Sequence, residues 1–406
     1  MPGEAWPEVP LTEILDRLEV GIASAGPESV PGPGEWGIIR LGAVTSGKFV
    51  PWQVKRLPES VTPRRSLEIR QGDVLVVRVN GSPGLVGSVC VVGHAPPRLM
   101  LSDLVMRLGP DPRVMDSAFL GMALSARSVR RQIVAKFRGT SGQFQLPQSE
   151  LKSVLVPCPP VPEQRRIVEV IDGVAELERG IEASIAKLRS VRQGTLLDYM
   201  SRIQPEWTCV RDLGEVRMGK QLSPDSRSAG EHYPYLRVAN VHAGRIDYSD
   251  VKTMGFTKGE RSVYGLVPGD ILLNEGQSLE LVGRSAIYKE EAGKYFFQNT
   301  LVRFRSAGRV TPEYAQIIFE YWLQAGVFAG IAKKTTSIAH LGGERFAGLE
   351  FPLVSLAEQQ DLVTAISSCD SNIEDEGREL NKLRELKQGL VDDLLSGRIA
   401  VSVAAA

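Results

Sequence analysis

The chain contains the same plan twice, and that repeat constrains its fold more than any other feature. "KLRSVRQGTLLDYMSR" runs from Lys187 to Arg202 and "KLRELKQGLVDDLLSGR" from Lys382 to Arg398, with Gln193 and Gln388 195 residues apart. The register holds further upstream. Arg40, Val44, Gly47 and Lys48 lie over Arg237, Val241, Gly244 and Arg245 at an offset of 197. "GDVLVVRVNG" from Gly72 lies over "GDILLNEG" from Gly269, Gly87 over Gly283, and "EQRRIV" from Glu163 over "EQQDLV" from Glu358. An offset that drifts by two over most of the chain is a tandem duplication with small loop changes.

Each half has two parts. The first is punctuated by Gly and Pro and carries short β-branched runs, "GDVLVVRV", "GSVCVVG" and "LVMRLG" in one copy and "GDILLN", "GRSAIY" and "NTLVRF" in the other. These read as strands of a compact mixed domain that closes on a helical stretch, about Asp116 to Phe137 and Pro312 to Ile331. In the second part a Pro-rich brake, "VPCPPVPEQ" or "FPLVSLAEQ", opens a run with no further proline. Apolar residues recur at steps of three and four through Ile167, Ile171, Val174, Ile181, Ile185, Leu188 and Val191, and through Leu362, Ile366, Ile373, Leu380, Leu383, Leu386 and Leu390. Such a stripe predicts a helix, and 35 to 40 residues make a rod of roughly 55 to 60 Å. The economical way to bury two such stripes is against each other, as a coiled-coil pair through Ile181, Ile185, Leu188, Leu380, Leu383 and Leu386. Packing of each helix on its own domain or on a partner is the alternative.

The expected fold is therefore α+β. Two tandem-repeat globular α/β domains, residues 1–160 and 201–355, are joined by two long antiparallel coiled-coil helices, 161–200 and 356–398, with a tail at 399–406 and a pseudo-twofold relation between the halves. At 406 residues the chain is long enough for two cores. The opening "MPGEAWPEVPLTEILDRLEV" has acids and prolines where a secretory signal needs a basic end and an apolar run, and no stretch is long and apolar enough to span a membrane. A cytoplasmic location is the expectation.

Formal net charge is zero, but its distribution is uneven. Residues 1–160 carry 18 basic and 14 acidic side chains and 201–355 carry 19 and 17, whereas 161–200 carry 6 and 7 and 356–406 carry 5 and 10. Two mildly basic domains alternate with two acidic segments.

The catalytic motifs fail one by one. "GPGEWG" (Gly32 to Gly37) fits G-x-G-x-x-G, but Pro31 and Pro33 break the turn and no helix follows. "GAVTSGKF" (Gly42 to Phe49) places Phe49 where a P-loop needs a magnesium-binding hydroxyl. Asp270 and Glu275 suggest a nuclease pair, but Gln277 replaces the lysine beside the metal and the first copy has no second carboxylate. Asp73 and Asp270 read instead as turn-shaping residues. The four cysteines and four histidines are dispersed without metal-ligand spacing, and the cysteines read as buried free thiols. Two matched domains without a catalytic constellation point to a binder.

DNA is the partner the basic loops suit. "ARSVRRQIVAKFRGTSGQFQ" carries Arg127, Arg130, Arg131, Lys136 and Arg138 without an acid, followed by Thr140, Ser141 and Gln143. Its counterpart "AKKTTSIAH" offers Lys333, Lys334, Thr335, Thr336, Ser337 and His340. Cations neutralise phosphates, and hydroxyls and amides bond to backbone or base edges. The loop after the "GD" strand adds Arg78, Asn80 and Ser82 in one copy and Asn274, Glu275 and Gln277 in the other. These residue types pair with guanine, adenine and cytosine. Lys48 and Arg245 complete the candidate set.

The chain resembles the specificity subunit of a type I restriction-modification enzyme. The marks are "PCPPVPEQRRIV" opening a helix that ends "LRSVRQGTLLDYMS", and "EQQDLV" opening a helix that ends "LRELKQGLVDDLLSGRI", each copy after a "GD"-containing domain. The first helix ends "DYMSRIQPEW" where the second has "DDLLSGRI". The resemblance implies two target recognition domains that each read half of a split DNA sequence, with paired helices as spacer. It implies two modification subunits that use S-adenosylmethionine to methylate adenine N6, and restriction subunits that use ATP and Mg and cut DNA. No catalytic residue and no cofactor is expected in this chain. A DNA-binding protein that acts without partners, a coiled-coil assembly adaptor, and a nuclease around Asp270 and Glu275 are the other readings.

Overall fold

The computed structural model describes residues 5–23, 28–139, 142–222, 231–335, 338–399 and 401. They form two compact units, one of residues 1–183 with 377–406 and the other of residues 184–376.

The first unit contains β1 (Leu15–Val20), β2 (Val74–Val77), β3 (Val79–Asn80), β4 (Val89–Val91), β5 (Val105–Pro110) and β6 (Phe144–Gln145). Strands β1, β5, β2 and β4 lie side by side in that order, all antiparallel. β3 leaves this sheet and pairs with β6. All four residues of β2 are buried, and alternation explains why: Val74 and Val76 join one core cluster, Leu75 and Val77 another. One face is covered by α1 (Ser117–Ser125) and α2 (Arg127–Ala135). The other face packs in the cluster of Ile39, Val54 and Leu99, from the three-stranded sheet of Val54–Arg56, Gly37–Ile39 and Leu99–Met100.

The second unit repeats the two main sheets and adds a strand to the short ladder. It contains β7 (Gly214–Met218), β8 (Ile271–Asn274), β9 (Gly276–Gln277), β10 (Ser285–Ile287), β11 (Leu301–Ser306), β12 (Lys333–Lys334) and β13 (Ala339–His340). Its four-stranded order β7, β11, β8, β10 is the first unit's order, and its three-stranded sheet has the same antiparallel and parallel pairings. The expected tandem repeat is thus present as topology. Gly87 and Gly283 both hold positive φ, 72° and 81°, and any Cβ there would strike Ile133 at 2.6 Å or Phe328 at 2.2 Å. Only glycine fits that turn in either copy.

The expected closing helices are each broken in two. Ala126, extended at ψ 146°, separates α1 from α2, and Gly326 in the left-handed region ends the helix of Pro312–Gln324. The break turns α2 so that Val129 and Ile133 are buried while Arg127 and Arg131 face solvent.

Two long helices follow the globular parts, α3 (Val161–Arg202, 42 residues) and, at the end of the described chain, a helix of 41 residues (Leu356–Ser396). At 1.5 Å per residue they measure about 63 and 61 Å. Within the first unit, Glu178 and Glu182 of α3 bond to Lys387 and Arg384 of the last helix. Within the second, Ser184 donates to Glu376 at 2.7 Å and Arg192 to Asp370 at 2.6 Å. In each unit rising numbers on one helix meet falling numbers on the other, so the pairing is antiparallel.

The apolar stripe is divided. Ile167, Ile171, Val391, Leu394 and Leu395 belong to the core of the first unit, and Leu196, Leu362 and Ile366 to that of the second. Of the expected pairing residues Ile185 and Leu380 are buried and Ile181, Leu188 and Leu383 half-buried. Leu386 corrects the expectation: its side chain is 70% exposed, because the inward row runs through Leu380, Leu383, Lys387 and Val391. Val191 is likewise 47% exposed.

The "EQ" phrase has a structural reason in both copies. Gln164 is fully buried, accepts from the Asp116 N–H at 2.7 Å and donates to the carbonyls of Val114 and Pro159 at 2.8 and 2.7 Å. Gln359 does the same with the Thr311 N–H and the carbonyls of Arg309 and Val354. Each amide ties the long helix to the residue that caps the closing helix, since Asp116 accepts from Ala118 and Phe119 N–H and Thr311 from Tyr314 N–H.

Candidate nucleic-acid interface

The two segments proposed to meet DNA are far apart in sequence, and the fold joins them. In the first unit β3 and β6 pair Asn80 with Phe144 and Val79 with Gln145. Asn80 and exposed Ser82 therefore stand beside exposed Gln143. The Asn80 carboxamide oxygen accepts from the Ser82 N–H at 2.8 Å and sets the turn. In the second unit β9, β13 and β12 form a three-stranded ladder with rows Gly276, His340, Lys333 and Gln277, Ala339, Lys334. Gln277 and the Lys333–Lys334 pair thus lie on opposite edges of one ladder with β13 between them, and Thr335 closes the hairpin by donating to the Ile338 carbonyl.

Several candidates have other work. Asn274 is fully buried and donates to the Val241 carbonyl at 3.3 Å, so it holds the sheet and is withdrawn from base contact. Half-buried Arg78 donates to the Asp103 carbonyl at 3.2 Å, and its backbone is bonded to Leu104 and Leu146. Arg130 donates to the Gly84 carbonyl at 3.0 Å and lies over the Phe137 ring, and burial pushes its pKa down. It is a latch on the 83–85 turn. The basic run is also not free of acid: Glu150, outside it in sequence, accepts from Arg138 at 2.6 Å and lies 3.9 Å from Lys136, which donates to Ser153.

Lys48 and Arg245 are exposed on matched turns after the positive-φ glycines Gly47 and Gly244, as a surface turn ending in a basic residue requires. Arg131, Lys333 and Lys334 are exposed and make no ion pair among the described residues. Thr140, Ser141, Thr336 and Ser337 lie outside the described residues.

The pairing of Glu275 with His340 could not be read in advance. Its carboxylate lies 3.0 Å from His340 Nδ1, across 65 residues of sequence. Only the strand register shows that the two meet.

The suspected metal carboxylates have structural partners instead. Asp270 is fully buried, accepts from the Val267 N–H at 2.9 Å and is held by Arg305 at 2.6 and 2.7 Å, a bond that raises the Arg305 pKa. Asp73 accepts from the Arg70 N–H at 2.8 Å and from Arg107 at 3.2 Å. The turn-shaping role is the observed one. No cluster of three or more metal-ligand side chains occurs among the described residues. The cysteines are free, but only Cys90 is buried, its thiol pushed up to about 12 by that burial, and the other three are half-buried. No described helix is long and apolar enough to cross a membrane.

Comparison with known proteins places this geometry. The type I restriction modification DNA specificity domain matches residues 205–385. The specificity subunit of the type I restriction enzyme EcoKI from Escherichia coli (strain K12) is 23% identical over 349 residues, 81% of this chain and 74% of that one. The putative type I restriction enzyme MjaX specificity subunit of Methanocaldococcus jannaschii is 25% identical over 48% of this chain and 47% of its own length. Among solved structures, the type I restriction-modification S subunit from M. genitalium superposes with a TM-score of 0.54 at 14% identity, covering 96% of each chain. A chain from a study of assembly and conformational transition of the type I R-M system superposes at 0.60 and 18% identity, covering 97% of this chain and 98% of that one. The structural likenesses speak for the fold. With the specificity domain matched in the second half and the order of its four-stranded sheet repeated in the first, the chain is similar to the specificity subunits of type I restriction-modification enzymes.

Proposed function

We propose that this chain is the sequence-reading subunit of a type I restriction-modification complex, and that each unit reads one half of a bipartite, gapped DNA target through its short strand ladder. The observation that carries this is the convergence of separate segments, residues 79–80 with 144–145 and residues 276–277 with 339–340 and through them 333–334, at matched places in two copies of one fold. The ladders stand on the same four-stranded sheet order and differ in strand number and side chains, which suits two readers of two different half-sites. Amides and a carboxylate on these edges suit base-edge hydrogen bonds, and the exposed lysines suit phosphates.

Chemistry is assigned to partners. The chain directs modification subunits that hold S-adenosylmethionine and methylate adenine N6, and restriction subunits that use ATP and Mg, all in the cytoplasm where the DNA is. Val191 and Leu386, matched at an offset of 195 and both exposed on the long helices, are the apolar positions proposed to dock the modification subunits.

The test maps N6-methyladenine in a methylation-free host that carries this gene with its neighbouring methyltransferase gene, against the methyltransferase alone. A split motif that appears only with this chain is expected. Absence of any motif, with both proteins soluble and associated, overturns the proposal in favour of an assembly adaptor.

A further inference from the structure

Beside the proposed DNA edge a leucine is the same in both copies, while the polar residues that precede it are not. After Asn80 the first unit has Gly81-Ser82-Pro83-Gly84, and after Gln277, its match at the offset of 197, the second has Ser278-Leu279-Glu280, one residue shorter. Both then read Leu-Val-Gly, Leu85 to Gly87 and Leu281 to Gly283. Leu85 is 38% exposed and Leu281 37%, whereas the next residue, Val86 or Val282, is fully buried.

The turn that presents the leucine is rigid, and its bonding is the same in both units. The Leu85 N–H donates to the Ser82 carbonyl at 3.1 Å, and its own carbonyl accepts from Ser88 at 3.2 Å. Leu281 donates to Ser278 at 3.0 Å and accepts from Arg284 at 3.1 Å. Gly87 and Gly283 bond back to Val77 and Asn274 and seat the turn on the helix behind it, where a Cβ would collide. In the first unit Arg130 also grips the Gly84 carbonyl. The same bonding thus holds a leucine partly in water at two equivalent places.

We propose that Leu85 and Leu281 are a matched pair of apolar wedges, one for each half-site, that insert at a base step of the bound duplex. The inference rests on the proposed DNA reading. A residue retained while its base-facing neighbours change cannot carry the difference between the half-sites, so its contact is one that any sequence offers. That excludes the thymine methyl, which is sequence-specific. The apolar surface common to all steps is the base plane, which rigid leucines reach by partial unstacking and kinking. The sequence-dependent part is left to the polar ladder beside it.

The test uses this chain assembled with its methyltransferase partner and a duplex bearing the motif that methylation mapping returns. 2-Aminopurine replaces each purine in turn, except the methylated adenines, whose extrusion would give its own signal. Wild type is expected to show a fluorescence rise at one step in each half-site. L85A should abolish the rise in one half-site only and L281A in the other only, each weakening binding about tenfold, while L85M and L281M keep both. The methylated motif should not change, and unchanged melting temperatures would show that the variants are folded. A wild-type complex with no rise, alanine variants that keep the rise with affinity within about twofold of wild type, or an altered motif would overturn the wedge. Failure of the wild-type complex to bind its mapped duplex at all would instead overturn the underlying DNA reading.

Discussion

Gln164 and Gln359 show how much a single repeated side chain can mean. Each is fully buried with three hydrogen bonds, so its polar atoms are satisfied only where the long helix meets the cap of the closing helix. Replacing either by leucine strands two carbonyls and one N–H in the interior, at a cost of about 2 to 3 kcal/mol. Urea denaturation of Q164L and Q359L is expected to show a loss of that order in each, and a loss below about 0.5 kcal/mol in either would contradict the clip. The repeated "EQ" was legible in sequence as a motif, but its partners were not, because Asp116 and Thr311 lie 48 residues before it. Asn274 shows the reverse error: a polar residue at a strand end looks exposed, and only the Val241 carbonyl, 33 residues away, explains its burial. Arg138 likewise looked free until folding brought Glu150 to it.

At the scale of the element, the long helices were legible from their three-and-four spacing, and their described extents, Val161–Arg202 and Leu356–Ser396, are close to the expected ones. What periodicity could not assign was the use of each apolar position, since a helix that packs one end on a globular part and another stretch on a second helix rotates its inward row along its length. Leu380 is buried and Leu386, six residues on, is exposed. Introducing a charge at the first places it in an apolar environment, and at the second leaves it in water. L380D should therefore cost about 3 kcal/mol of stability and L386D less than about 0.5, as read by chemical denaturation. L386D should still weaken association with the modification subunit, measured by co-purification. If L386D unfolds the protein as readily as L380D does, the described face of this helix is wrong.

For the whole molecule, the duplication was the most legible feature, and it is realised as two units with the same strand orders and the same glycine turns. Strand pairing was the hidden part, because two-residue strands such as β3 and β9 carry almost no periodic signal and acquire meaning only from the segments they join. In the proposed function each ladder reads its half of the target independently of the other. The most direct measurement exchanges the second ladder alone, by E275Q, Q277N, K333S and K334S together, and maps methylation in the host that also carries the partner methyltransferase. One half of the split motif is expected to change or relax while the other half and the gap between them persist. A motif unchanged in both halves, or altered in both, would contradict it.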